Sequence, residues 1–259
     1  MSQLNGKSAL VTGGGTGIGE AITIDLGKAG VEVTICGRRE APLENTVSKI
    51  KAEGGKARYV VADMADPESI EKLAKNILAH GGVDILINNA GFSSKVRSAR
   101  FIGADEWRAV MDVNTMGPAM LTRHLLDSMI EKGSGDVVMI SSMAAINPSV
   151  VAGAAYSSAK VAAKTYMNVL QQEVKNFGIR CLTVCPAEVD TPILEGRPLP
   201  PGDAERATMI QPEDISAAVL MALSLPHRAT VSEIAIATTA QRDMREDIKA
   251  ALTKETPEG

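Results

Sequence analysis

Seven short apolar runs, the first six each followed by a stretch with helical spacing, leave this chain few ways to fold. The runs are Ser8–Thr12, Glu32–Cys36, Ala57–Ala62, Asp84–Asn88, Asp136–Ser141, Ile179–Cys185 and Glu233–Ala237. Several are apolar at successive positions, as in Val137–Ile140, which is how parallel strands covered on both faces read. Helical patterns fall near residues 17–29, 40–53, 67–80, 105–131, 154–177 and 212–223. Asp66-Pro67-Glu68 and Gln211-Pro212-Glu213-Asp214 carry the proline and acids of a first helical turn. Such alternation predicts an α/β fold: a doubly wound, seven-stranded parallel sheet with helices on both faces. No internal repeat or linker interrupts it, so residues 1–259 read as one domain. The segment 191–211 breaks the rhythm with four prolines and two glycines. It reads either as a surface connection or as a lid, the commoner use of long irregular insertions. The charged tail, 241–259, has weak helical periodicity. It reads as a solvated helix, a frayed end or a subunit contact.

Bulk chemistry narrows the function. Hydrophobic residues make up 45% of the chain, enough for a substantial core. The net charge of −4, from 27 basic and 31 acidic residues, argues against nucleic acid as a partner. No apolar run is long enough to span a bilayer, and the N-terminus enters a strand pattern at once without a signal-peptide core. These features predict a soluble, cytoplasmic protein. Cys181 and Cys185, four apart in a strand, would sit roughly 13 Å apart, too far for a disulfide. With Cys36 they read as buried free thiols. His80, His124 and His227 are scattered without ligand spacing, so no metal site is expected.

Thr12–Gly19, TGGGTGIG, lies where the first strand turns into the first helix. Glycines there permit a tight turn and close backbone approach. The helix start then aims free N–H groups and the positive dipole end at a pyrophosphate. This is the position of a dinucleotide fingerprint in a Rossmann fold. An inert glycine turn is the competing reading.

Gly13-x-x-x-Gly17-x-Gly19, the run Asn88-Asn89-Ala90-Gly91 and Tyr156-x-x-x-Lys160 occur in order along nearly the whole chain. Together with Asn114 and Pro186–Thr191 they resemble the short-chain dehydrogenase/reductase (SDR) family. The resemblance implies hydride transfer between a nicotinamide cofactor and a carbonyl or secondary alcohol. It implies a catalytic set of Asn114, Ser142, Tyr156 and Lys160. Cofactor contacts are then expected from Gly13, Gly14, Gly15, Thr16, Gly17, Ile18 and Gly19, and from Arg38, Arg39, Asp63, Met64, Asn89, Ala90 and Gly91. Further contacts are expected from Tyr156, Lys160, Pro186, Val189 and Thr191. By the same resemblance Asp63 contacts adenine, Asn88–Gly91 lies under the adenosine ribose, and Val189 and Thr191 fix the carboxamide.

NAD enzymes of this architecture commonly end the second strand with an acid that binds the ribose hydroxyls. Here that strand ends Cys36-Gly37-Arg38-Arg39, with Cys36 aligned to the acid and no acid before Glu40. A guanidinium at 38 suits a 2′-phosphate, so NADP(H) is expected in preference to NAD(H). Solvated helix-start charge is the alternative for both arginines, Arg39 first.

An unperturbed tyrosine, with a pKa of about 10, is a poor base near neutrality. Tyr156 and Lys160, four apart on one helix, place an ammonium where it would stabilise phenolate. Ser142, ending the fifth strand, is expected to hold the substrate oxygen, with Ser141 as alternative. The gap from Ser142 to Tyr156 is one residue longer than the family commonly has, which an insertion in 147–153 would absorb. Ala187 also stands where the family has glycine, and Glu188 reads either as facing substrate or as a surface acid. The pocket is expected from 92–103, 144–155 and 191–211, where Lys95, Arg97, Arg100 and Arg197 would attract an acidic group. The C-terminal region resembles branches acting on small hydroxy acids or assorted ketones. An NADP-binding scaffold without turnover, or an epimerase or dehydratase, are the alternatives. A homotetramer or homodimer is expected by analogy, through the helices of Asn114 and Tyr156. Val161, Ala162, Val169, Leu121 and Leu125 are interface or core.

Overall fold

The computed structural model describes residues 3–240 and 242–253. Its strands are β1 (Ser8–Thr12), β2 (Glu32–Gly37), β3 (Ala57–Val61), β4 (Ile85–Asn88), β5 (Gly135–Ile140), β6 (Ile179–Pro186) and β7 (Glu233–Ile236). All seven lie in one sheet ordered β3-β2-β1-β4-β5-β6-β7, every neighbouring pair parallel. Helices α1 (Gly17–Lys28), α2 (Glu40–Ala52), α3 (Pro67–Ala79), α4 (Ala104–Met111), α5 (Gly117–Lys132) and α6 (Ala154–Val174) connect the first six strands. The short α7 (Asp203–Arg206), then α8 (Pro212–Leu223), precede β7, and α9 (Arg245–Ala251) follows it. This is the doubly wound Rossmann arrangement.

Both faces of the central strands β1, β4, β5 and β6 are buried, because successive strand residues point opposite ways and both sets are apolar. The edge strands β3 and β7 are largely half-buried or exposed. Val11, Ile35, Ile87, Val138 and Val184 pack towards α1, α2 and α8. Leu10, Cys36, Leu86, Val137 and Cys181 pack on the other face, towards α3, α5 and α6. All three cysteines are free and buried. Arg180 of β6 and its register partner Asp136 of β5 form a buried ion pair, Nε to Oδ1 2.6 Å. The same guanidinium donates to the carbonyls of Leu223, Leu225 and Ala229, tying the end of α8 to the sheet.

The helix expected over 105–131 is interrupted. A π-helical turn, Asp112–Met116, separates α4 from α5. Pro118 cannot donate to the preceding turn, and the Asn114 side chain donates to the Val110 carbonyl (2.8 Å), where it competes with the helical ladder. The helix expected over 154–177 gives way at Lys175–Phe177 to a 3₁₀ turn, closed by Gly178 at φ 74°. Of the tail 241–259, the described part contains α9, and residues 241 and 254–259 lie outside the described residues. Segment 191–211 carries a 3₁₀ turn at Pro192–Gly196, then α7, and returns as a bridge between Val189 and Ile210. No helix among the described residues is long and apolar enough to cross a membrane.

Candidate active site

Strand order reverses between β1 and β4, and a crevice opens at the carboxyl ends of the strands there, where ligands bind in such sheets. It forms a cleft of about 530 Å³ that contains Ser142, Tyr156, Lys160 and the turn Pro186–Thr191 after β6. An adjoining pocket of about 180 Å³ runs along the end of β2.

The glycine loop is built by close approach. Gly13 and Gly17 have φ of 66° and 56°, the left-handed region that side chains avoid. A Cβ on Gly19 would lie 2.3 Å from the Gly13 carbonyl oxygen. The amides of Gly17 and Ile18 open α1 with no carbonyl in a preceding turn to accept from them, and both residues line the cleft. Gly14 and Gly19 are buried and line neither pocket; Gly14 packs against Ile35. Both help to close the loop: a Cβ on Gly14 would meet Ile35, and one on Gly19 the Gly13 carbonyl. Asn89 likewise braces the loop: its Nδ2 donates to the Thr12 carbonyl (2.9 Å), while Thr12 Oγ1 accepts from the Asn89 and Ala90 amides.

At the end of β2 the structure corrects the alignment of Cys36 with the family's acid. Cys36 is buried in the core, and burial pushes its thiol up to about 12. Gly37, Arg38 and Arg39 line the smaller pocket with Asp63 and Met64. The acid is therefore missing at Gly37. Arg38 and Arg39 are exposed and form no ion pair with a described residue. Asp63 caps its own turn, accepting from the Ala65 amide (2.9 Å), while Asp66 caps α3.

Around Tyr156 three elements converge. Ser142, just past β5, starts a 3₁₀ turn by accepting from the Ala144 amide (3.1 Å), and its hydroxyl stands near enough to Tyr156 to favour the phenolate. Ser141 turns away and donates to the Lys160 carbonyl (3.2 Å). The longer loop before α6 places Asn147, Ser149 and Val151 on the cleft wall. Lys160 is 4% exposed, and its ammonium donates to the Ile140 carbonyl (2.9 Å) at 5.5 Å from the Tyr156 ring centre. A Cβ on Gly91 would lie 2.6 Å from Asn114 Oδ1 and 3.5 Å from Lys160 Nζ, so these three residues meet. Asn114 lies behind the cleft wall, donating to the Phe92 and Val110 carbonyls; its Oδ1 is buried with no described partner.

The electrostatics at Tyr156 involve more groups than the expected pairing with Lys160. Burial pushes the Tyr156 phenol above its ordinary value, and the nearby Ser142 hydroxyl with the charges of Arg97 and Arg197 pulls part of the way back. The Lys160 ammonium stands over the same ring. That ammonium is itself brought down to about 8 by burial. Holding that charge at pH 7 costs about 3 kcal/mol. Below pH 8 the folded and unfolded chains are both protonated, and the full cost is present. Between about 8 and 10.5 only the unfolded chain keeps the proton, so wild-type stability climbs with pH. Lys160→Met is therefore expected to melt no lower than wild type at pH 7, and up to several degrees higher. The advantage should shrink by pH 10; a Tm lower than wild type at pH 7 would contradict the burial cost.

Glu188 is half-buried at the cleft edge. Burial alone would raise its carboxyl, but Arg242 and Arg197 outweigh that and hold it below its ordinary value. Arg242 also pairs with Glu205 and Asp247, so the C-terminal segment is fastened to the 191–211 segment, and Met244 lines the cleft. Sequence reading missed Arg242 and Met244, because no local pattern ties the tail to the cleft.

A family model described as short chain dehydrogenase matches residues 7–199. This chain belongs to the short-chain dehydrogenase family. A short chain dehydrogenase of Pseudocercospora fijiensis is 38% identical over 196 residues, covering 74% of this chain and 62% of that protein. An uncharacterized oxidoreductase of Staphylococcus aureus is 33% identical over 239 residues, 91% of this chain and 99% of its own. The crystal structure of a metagenomic short-chain oxidoreductase in complex with NADP has a TM-score of 0.80 at 30% identity, covering 93% of this short-chain dehydrogenase and 100% of that chain.

Proposed function

We propose that this short-chain dehydrogenase transfers hydride between NADP(H) and a carbonyl or secondary alcohol, with Tyr156 as general acid and base. One observation carries the reading: Tyr156, Ser142 and Lys160 share a single cleft with the glycine loop and the Pro186–Thr191 turn. The free amides at the start of α1 and the space that Gly13 and Gly17 leave fit a dinucleotide. Arg38 and Arg39 would hold a 2′-phosphate beside Gly37, with Asp63 and Met64 along the adenine. Ala90 and Gly91 would approach the ribose, and Pro186, Val189 and Thr191 the carboxamide. When bound, the nicotinamide supplies or accepts the hydride. Ser142 holds the substrate oxygen, and the Tyr156 phenol donates its proton to that oxygen in reduction and recovers it in oxidation. Lys160 binds the ribose side of the cleft and Asn114 positions the wall behind it. The chain works as one catalytic domain, with 191–211 as lid. Val161 and Val169, exposed on α6, supply an apolar face for a dimer or tetramer, whereas Leu121 and Leu125 are core.

Initial rates over a carbonyl panel test the activity; no NADPH oxidation with any carbonyl would refute it. The kcat/KM with NADPH is expected to exceed that with NADH by about tenfold or more. Gly37→Asp should invert that ratio by placing a carboxylate where the phosphate would lie. Equal use of both cofactors by wild type would remove the phosphate assignment.

A further inference from the structure

Arg97 is 4% exposed at the reacting end of the cleft, and its charge acts on Tyr156. Its guanidinium donates to neutral acceptors: Ser93 Oγ, the Ala152 carbonyl (2.9 Å) and the Gly196 carbonyl (3.4 Å). It forms no ion pair with a described carboxylate. Glu106, whose charge favours it, is engaged by the Lys95 and Val96 amides. Arg97 Nε and the neighbouring Ser94 Oγ are buried with no described partner. Gly153, at φ 90°, leaves the room this side chain needs: a Cβ there would lie 2.9 Å from Arg97 Cδ. A second guanidinium, Arg197, stands nearby but already has Glu188. Burial, and Arg197 beside it, bring Arg97 down only to about 10, so it is a cation at neutral pH.

An unpaired buried cation is costly, and fold stability alone gives no reason to keep one. The cleft wall also carries the apolar Phe92, Val151, Ile193 and Leu194 and the neutral Asn147 and Ser149. Its one described carboxylate, Glu188, is already held by Arg197 and Arg242. We infer that Arg97, assisted by Arg197, is the subsite for a substrate carboxylate, so that this enzyme reduces an oxo acid or oxidises the matching hydroxy acid. A carboxylate fits better than a phosphate ester, because one monoanion balances the one unpaired guanidinium and a dianion does not. The inference rests on the carbonyl-reducing reading of this cleft and names its substrate class. Arg97 also bridges the walls at Ala152 and Gly196, a structural part that by itself would not discriminate between substrates.

The test compares kcat/KM, with NADPH, for 2-, 3- and 4-oxo acids and their primary amides. At least one acid is expected to exceed its amide by about 30-fold or more. Arg97→Met should bring that ratio to within about threefold of one, Arg97→Lys should restore part of it, and Arg197→Gln should lower it less. Amides used as well as acids by wild type would overturn the proposal, as would an Arg97→Met enzyme that keeps the preference. If Arg97→Met does not fold, the wild-type, Arg97→Lys and Arg197→Gln ratios decide. If no carbonyl is reduced at all, the activity reading fails separately. Calorimetric titration of butyrate and benzoate, with and without NADP, then decides the subsite: wild-type binding weakened about tenfold or more by Arg97→Lys supports it, and no binding overturns it.

Discussion

Replacing Tyr156 with phenylalanine is expected to lower kcat/KM for carbonyl reduction by about 10³-fold, within the range general acid catalysis commands. Binding of NADPH should change less than threefold on the same estimate, because the lost atom is one hydroxyl at the substrate end of the cleft. The ring keeps its packing against the cluster of Val110, Ala155 and Ala159, so the fold should persist. Direction of reaction sharpens the test. Burial holds the phenol above its ordinary value, so it is protonated and ready to donate across the neutral range. Oxidation needs the phenolate, and its kcat/KM should rise with pH where that of reduction does not. A Tyr156→Phe enzyme with more than about a tenth of wild-type turnover would remove this tyrosine from the chemistry.

Asp136→Ala is expected to cost about 3–5 kcal/mol of stability, the usual penalty for stripping a buried cation of its partner. Arg180 would keep its three carbonyl acceptors but lose its carboxylate in a site where little water can replace it. Lys7, 3.6 Å from Asp136 Oδ2, loses a weaker contact. The Tm should drop on the order of 10 °C. Asp136→Asn, which keeps the shape but not the charge, should fall between the variant and wild type. A Tm change below about 2 °C for Asp136→Ala would show that the pair adds nothing net.

Strands, helices and the crevice were legible because they repeat a local rule. Apolar residues in successive positions demand cover on both faces, and glycines between a strand and a helix leave a loop able to close on itself. Tyr156 and Lys160 were legible for the same reason, since i and i+4 share a helix face. Cys36 was misplaced because alignment counts positions, whereas the pleat sends Cys36 into the core and opens Gly37 to the pocket. The interruption at Asp112–Met116 was missed because Asn114 and Pro118 act on the helix through a side-chain hydrogen bond and a missing donor, neither of which alters the apolar period.

By itself, then, the order of residues determined the parallel sheet and the glycine loop, which follow from strand period and from contacts between near neighbours. It also carried the motifs through which the chain resembles its family. Only the tertiary structure decided which partner acts on each charge. Tyr156 meets Ser142 and two arginines rather than an ammonium alone, Glu188 is held between Arg197 and Arg242, and Arg97 is left with no acid. Those outcomes depend on desolvation and, for Arg97 and Arg242, on contacts between chain segments 50 to 100 residues apart, and no local pattern encodes either.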